Sequence, residues 1–127
     1  MTGFLVLTNR VLVLLAGLLG AAGVTAAAVA AHGGYGDTLR LASEFAIIHA
    51  TLLVALTRGT PSRLGAIAAA TVLLGTLLFC GDLSARAIAG SGLLPMAAPT
   101  GGFLLIAGWL LSGSSALVRP KPVSSVR

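Results

Sequence analysis

The sequence is poor in charge, in aromatic rings and in cysteine, and each shortage closes off a class of protein. Only 3 acidic and 8 basic side chains occur in 127 residues, a charged fraction of 9%. Water-soluble domains carry about a quarter charged residues. Eleven charges cannot cover such a chain in water, but they suffice where lipid covers most of it. Aromatic residues make up 5%, and the basic residues stand singly, with no cluster longer than Arg119-Pro120-Lys121. Despite the net charge of +5, the sequence has no run of basic residues interleaved with aromatic rings on which bases could stack, so no nucleic-acid partner is expected. The single cysteine, Cys80, excludes an intramolecular disulfide and a cysteine-clustered metal site. Its apolar surroundings make it a packing group, since a reactive thiolate needs stabilisation and access.

What is present is hydrophobic length. Hydrophobic residues form 57% of the chain and the mean hydropathy is +1.03. Between Arg10 and His32 run 21 residues without an ionisable group, close to the ~20 a helix needs to cross the hydrocarbon core. Between Arg63 and Asp82 run 18 uncharged residues. The uncharged stretch 87–118 is too long for one crossing and is broken by Pro95 and Pro99. Proline belongs in the first helical turn, so the last span is placed near Pro99. The expected architecture is an all-α integral membrane protein, a single domain with transmembrane helices over about 10–31, 38–57, 64–82 and 99–118. Residues 87–98 then form a connection and 119–127 a tail. A β-barrel would need alternation of apolar and polar residues in segments of about ten, and the continuous apolar run 11–24 does not alternate.

Orientation follows the basic residues. Arg10, Arg58, Arg63, Arg119, Lys121 and Arg127 fall on one side, with no acid among them. Arg40 and Arg86 share the other side with Asp37, Glu44 and Asp82. The four-helix bundle is therefore expected to be multi-pass in the bacterial inner membrane with both termini cytoplasmic. The first 31 residues also imitate a secretory signal, with Arg10, an apolar run and the small residues 26–31. The apolar run exceeds the 7–15 residues usual for a signal, which favours a retained span.

Helices in lipid associate through close packing at small residues. Ala16 with Gly20, Gly17 with Ala21, Gly65 with Ala69, and Gly108 with Ser112 are small pairs four residues apart. With 17 glycines in all, a tight bundle with little internal volume is expected, Gly17, Gly20, Gly101, Gly102 and Gly108 being its candidate contact points.

The polar residues at membrane depth are the candidates for function. Counting from Thr38, His49 lies about 16 Å along its helix, near the bilayer midplane, on a face shared with Ala42, Ala46 and Leu53. A neutral imidazole bonded to a carbonyl or threonine would hold helices together there; a proton relay or a ligand role is the sharper alternative. No charged neighbour occurs at the depth of His49, which favours the first. His32 sits in a glycine-rich turn at the other end of the first helix, so the two histidines do not share the plane that axial haem ligation requires. Arg40 with Glu44 and Asp82 with Arg86 are pairs four residues apart that neutralise locally. A metal site is not expected, because a hard cation needs several converging oxygens. No cofactor is expected, and no nucleophile-base spacing marks an enzyme.

Four stretches carry a resemblance: AAHGGYGD at the first turn, FAIIHATLLVAL in the second helix, LLFCGDLSARA ending the third and PTGGFLLIAGWLL opening the fourth. In this order they resemble the small membrane proteins called domain of unknown function 423, which include the eukaryotic transmembrane protein 256. The resemblance implies four helices, the His-Gly turn at His32 and Gly33, the intramembrane histidine at His49, and a Pro-x-Gly-Gly start at Pro99, Gly101 and Gly102. It implies no activity. Where relatives commonly carry Tyr-Gln before that histidine, this chain has Phe45-Ala46, and their Ser-Gly-Ser near the end of the third helix is Cys80-Gly81-Asp82 here. The function expected is a non-catalytic accessory or assembly subunit of a larger membrane complex. Its partners would be lipid and another membrane protein or further copies of the chain. The alternative is a small proton or solute conduit using His49.

Overall fold

The structure, a computed structural model, describes residues 2–58, 62–114 and 117. The expectations for Arg119, Lys121, Arg127 and the tail 119–127 lie outside the described residues. Four helices follow one another: α1 (Thr2–His32), α2 (Gly36–Arg58), α3 (Arg63–Ala89) and α4 (Ala97–Ser114). Three of them, α1, α2 and α3, are long and apolar enough to cross a membrane. The fourth has 18 residues, about 27 Å at 1.5 Å per residue, and is diluted by Pro99, Gly101, Gly102 and Gly108.

The order of packing is serial. Helix α1 lies on α2, α2 on α3 and α3 on α4, with a minor contact between α1 and α3. Leu12 and Ala16 of α1, Leu53 of α2, Ala69 and Val72 of α3 and Leu105 of α4 meet in one buried cluster, so every helix contributes to the centre. A second cluster joins Ala42 and Ala46 of α2 to Cys80 of α3. Beside it the Phe45 and Phe79 rings pack with centroids 4.8 Å apart.

Two boundaries differ from those expected of the sequence. Helix α1 begins at Thr2 rather than near residue 10; nothing before Arg10 breaks a helix, and one arginine does not stop it. Helix α3 runs to Ala89 rather than 82. Asp82 and Arg86 neutralise each other within the helix at 2.7 Å, so the charges do not mark its end. It stops where Gly90 takes a left-handed φ of 75° and returns its N–H to the Arg86 carbonyl at 3.1 Å. The connection to α4 shrinks to residues 90–96.

The tightest seam is between α3 and α4. A Cβ at Gly101 would sit 2.5 Å from the Phe79 nitrogen and 2.8 Å from the Gly75 oxygen, and one at Gly108 2.5 Å from Val72 Cγ2. Gly101, Leu105 and Gly108 recur at helical spacing and are buried, so α4 lays a notched ridge against the backbone of α3. The other candidates contribute less. A Cβ at Gly102 would meet Phe79 only at van der Waals distance, and one at Gly20 would lie 3.6 Å from the Ala50 Cβ. Gly17 corrects the sequence reading: it is exposed and a Cβ there would meet open space, because α1 turns Ala16 and Gly23 toward its neighbours instead.

Candidate functional site

Helix α2 buries Ala42, Ala46, His49 and Leu53 along one stripe. These four positions recur every three or four residues, and their small members let neighbouring helices come close. His49 is only 3% exposed. It lies thirteen residues from the first residue of α2 and nine from the last, far from either end of the bundle.

Both nitrogens of its ring are engaged. Nδ1 lies 2.7 Å from the Phe45 carbonyl oxygen, one turn back. A carbonyl only accepts, so Nδ1 carries the proton and donates it. That leaves Nε2 with its lone pair, and the indole Nε1–H of Trp109 donates to it at 3.2 Å. The two bonds define one neutral tautomer. The His49 and Trp109 rings meet edge to face at 72°, centroids 6.2 Å apart, and Phe45 stacks on the imidazole with centroids 5.5 Å apart. A groove of about 460 Å³ runs past the pair between α2 and α4, walled by Phe45, Ile48, Gly102, Leu105 and Ile106. Its walls hold no further titratable side chain.

Trp109 is the residue that reading the sequence missed. Its bond joins positions 60 residues apart, and the partners expected for the imidazole were a carbonyl or a threonine, not an indole. The available signal was that Trp109 is the only tryptophan in the chain, placed well inside an apolar segment, where an indole N–H needs an acceptor.

The remaining candidates fall into separate groups. His32 ends α1 and is exposed. Beyond it the turn uses positive φ at Gly34 and Gly36, 69° in each, a conformation glycine adopts without steric cost. His32, Asp37 and Arg40 line an open cavity of about 520 Å³ at this end. Arg40 and Glu44 pair at 3.2 Å with both side chains largely exposed, a geometry worth little. Asp82 and Arg86 do something different. Asp82 is fully buried; Oδ2 accepts from Arg86 Nε at 2.7 Å and Oδ1 accepts from the Leu93 backbone N–H at 2.8 Å. The carboxylate therefore fastens the connection 90–96 to the end of α3, and a Cβ on Gly92 would press into it at 2.5 Å. This latch prepares the start of α4, whose Thr100 N–H bonds to the Met96 carbonyl at 3.0 Å.

Among the described residues no three histidine, cysteine, aspartate or glutamate side chains converge as a metal site would require. His32 and His49 stand at different levels of α1 and α2. Cys80 is buried within the Ala42 and Ala46 cluster.

No curated protein and no solved structure matches this chain. A family model does match, over residues 19–102, which takes in the second half of α1, the glycine-rich turn, His49, the Asp82 latch and the start of α4 as far as Gly102. With two thirds of its length so matched, the chain belongs to the family described as protein of unknown function DUF423.

Proposed function

We propose that this chain is a non-catalytic accessory or assembly subunit of a larger membrane complex. All four helices then cross the bacterial inner membrane, with the outer ends of α1 and α4 on the cytoplasmic side. The observation that carries this reading is that no reactive group is left over. Both nitrogens of His49 are bonded, and no buried side-chain nitrogen or oxygen among the described residues lacks a hydrogen-bond partner. Buried polar groups in lipid are costly unless they serve function or hold helices together, and here each is consumed within the fold.

The crossing of α4 is supported by its antiparallel packing along α3, where Gly101 faces Phe79 and Gly75 and Gly108 faces Val72. The orientation is supported by Arg10, Arg58 and Arg63 at one end of the bundle and Asp37, Glu44 and Asp82 toward the other. A conduit is less well supported. A relay through His49 would first have to displace the indole N–H from Nε2, and the apolar groove beside it offers no next proton carrier.

The face that suits docking is the outer side of α1. Only 17% of its most apolar window is buried, against 39% for α2 and 33% for α3, and Leu14 and Leu18 are 69% and 68% exposed. Affinity purification of the full chain in mild detergent is expected to recover one membrane subunit in stoichiometric amount. Leu14→Trp with Leu18→Trp, which reshapes this face without impairing insertion, is expected to release that subunit. Recovery of the chain only as a monomer or homo-oligomer would overturn the proposal.

A further inference from the structure

We infer that the cytoplasmic end of the α1 and α2 pair is a binding site for an anionic phospholipid, with Arg10 and Arg58 holding the headgroup phosphate. Arg10 lies on α1 and Arg58 ends α2. Asn9 Nδ2 donates to the Thr57 carbonyl at 3.3 Å, which fixes the two arginines, each the next residue along, at the same level of the bundle. Both line one cavity of about 570 Å³.

Neither arginine has an acidic partner among the described residues, whereas Arg40 and Arg86 are paired with Glu44 and Asp82. Two guanidiniums from different helices on one cavity create a charge that no acidic side chain among the described residues compensates. A phosphate answers it well, because each planar guanidinium can offer two parallel N–H groups to its oxygens.

The rest of the cavity says that the phosphate belongs to a lipid. Val13 and Leu14 form its wall on the membrane side of Arg10, so an acyl chain leaving the headgroup continues along apolar surface. Helix α1 projects about two turns beyond Arg10, at 3.6 residues per turn, and presents Phe4 and Leu7 there, 72% and 61% exposed. These apolar side chains on the outer side of a cationic level keep the site within the interfacial layer. Basic pockets between transmembrane helices on the cytoplasmic side are where anionic headgroups are held. A role in orienting the protein would need only the charges; it would not need both on the lining of one cavity beside Val6, Val13 and Leu14.

The test uses the full chain purified in neutral detergent and titrated with phosphatidylglycerol, phosphatidylcholine or inorganic phosphate, with bound ligand counted by native mass spectrometry. Phosphatidylglycerol is expected to bind more tightly than phosphatidylcholine. Arg10→Gln and Arg58→Gln are each expected to weaken it about fivefold, from the attraction of one basic residue near an anionic headgroup. The double variant should fall to the level of phosphatidylcholine, and Arg40→Gln should change nothing. Equal binding of both lipids, or a double variant that keeps the preference, would overturn the inference. Inorganic phosphate binding as tightly as the lipid would replace it with a simple anion site. Should the double variant fail to fold, the wild-type protein still decides the matter: the preference for phosphatidylglycerol must shrink as salt is raised, and a preference indifferent to salt contradicts it.

Discussion

Replacing Gly101 with valine is expected to separate α3 from α4 and to cost the protein more than the same change at any other glycine among the described residues. A side chain there would start 2.5 Å from the Phe79 backbone nitrogen and 2.8 Å from the Gly75 oxygen. Both obstacles are backbone atoms of a helix, which cannot rotate away as a side chain can. Overpacking of this kind costs about 1–3 kcal/mol, and more where nothing yields. Gly101→Ala already places the offending carbon and is expected to lie within that range, with valine at or beyond its upper end. The control is Gly17→Ala. Open space surrounds that position, so removing a glycine from mid-helix is expected to be neutral or to stabilise slightly. Reversible unfolding in detergent micelles measures all three, and a Gly101→Ala protein as stable as wild type would show that the two helices do not meet at this point.

The second large effect belongs to His49 and Trp109. Changing His49 to leucine keeps the volume but leaves the indole N–H without an acceptor, at a cost of about 1–3 kcal/mol. Trp109→Phe removes the donor and leaves Nε2 facing an apolar ring. Because each variant spoils the same bond, the double variant should cost less than the sum of the singles. The coupling is expected at about 0.6 kcal/mol and no more than about 1.7, the range of interhelical hydrogen bonds in a membrane bundle. If His49 serves only to hold helices, proton flux through liposomes carrying His49→Leu protein will equal that of wild type. Strict additivity of the stability effects would show that the bond does not form.

How much of this could be read from the chain is instructive at particular residues. The inward stripe of Ala42, Ala46, His49 and Leu53 follows from helical periodicity alone, and the structure buries all four. The ion pairs Arg40 with Glu44 and Asp82 with Arg86 form as their spacing implies. The end of α3 was harder, because a charge in an apolar sequence reads as a boundary. Asp82 is instead satisfied inside the protein by Arg86 and by Leu93, a residue eleven positions away. The partner of His49 was beyond reach for the same reason: it comes from another helix, and nothing local specifies how α2 and α4 are placed about α3. Glycines show the limit most plainly. Gly17 and Gly101 look equivalent in an apolar helix, but only the three-dimensional packing assigns open space to one and a backbone contact to the other.

The central claim is that the intramembrane histidine is a structural group with both nitrogens committed. Nitrogen-15 solid-state NMR of histidine-labelled protein in lipid bilayers at neutral pH reads this directly, with His32 assigned separately through a His32→Gln sample. The account predicts a single neutral His49 species, protonated at Nδ1, whose bare Nε2 shows a through-space correlation to the Trp109 indole N–H. A His49 ring protonated at Nε2, or doubly protonated, would contradict it and return this residue to the candidates for proton transfer.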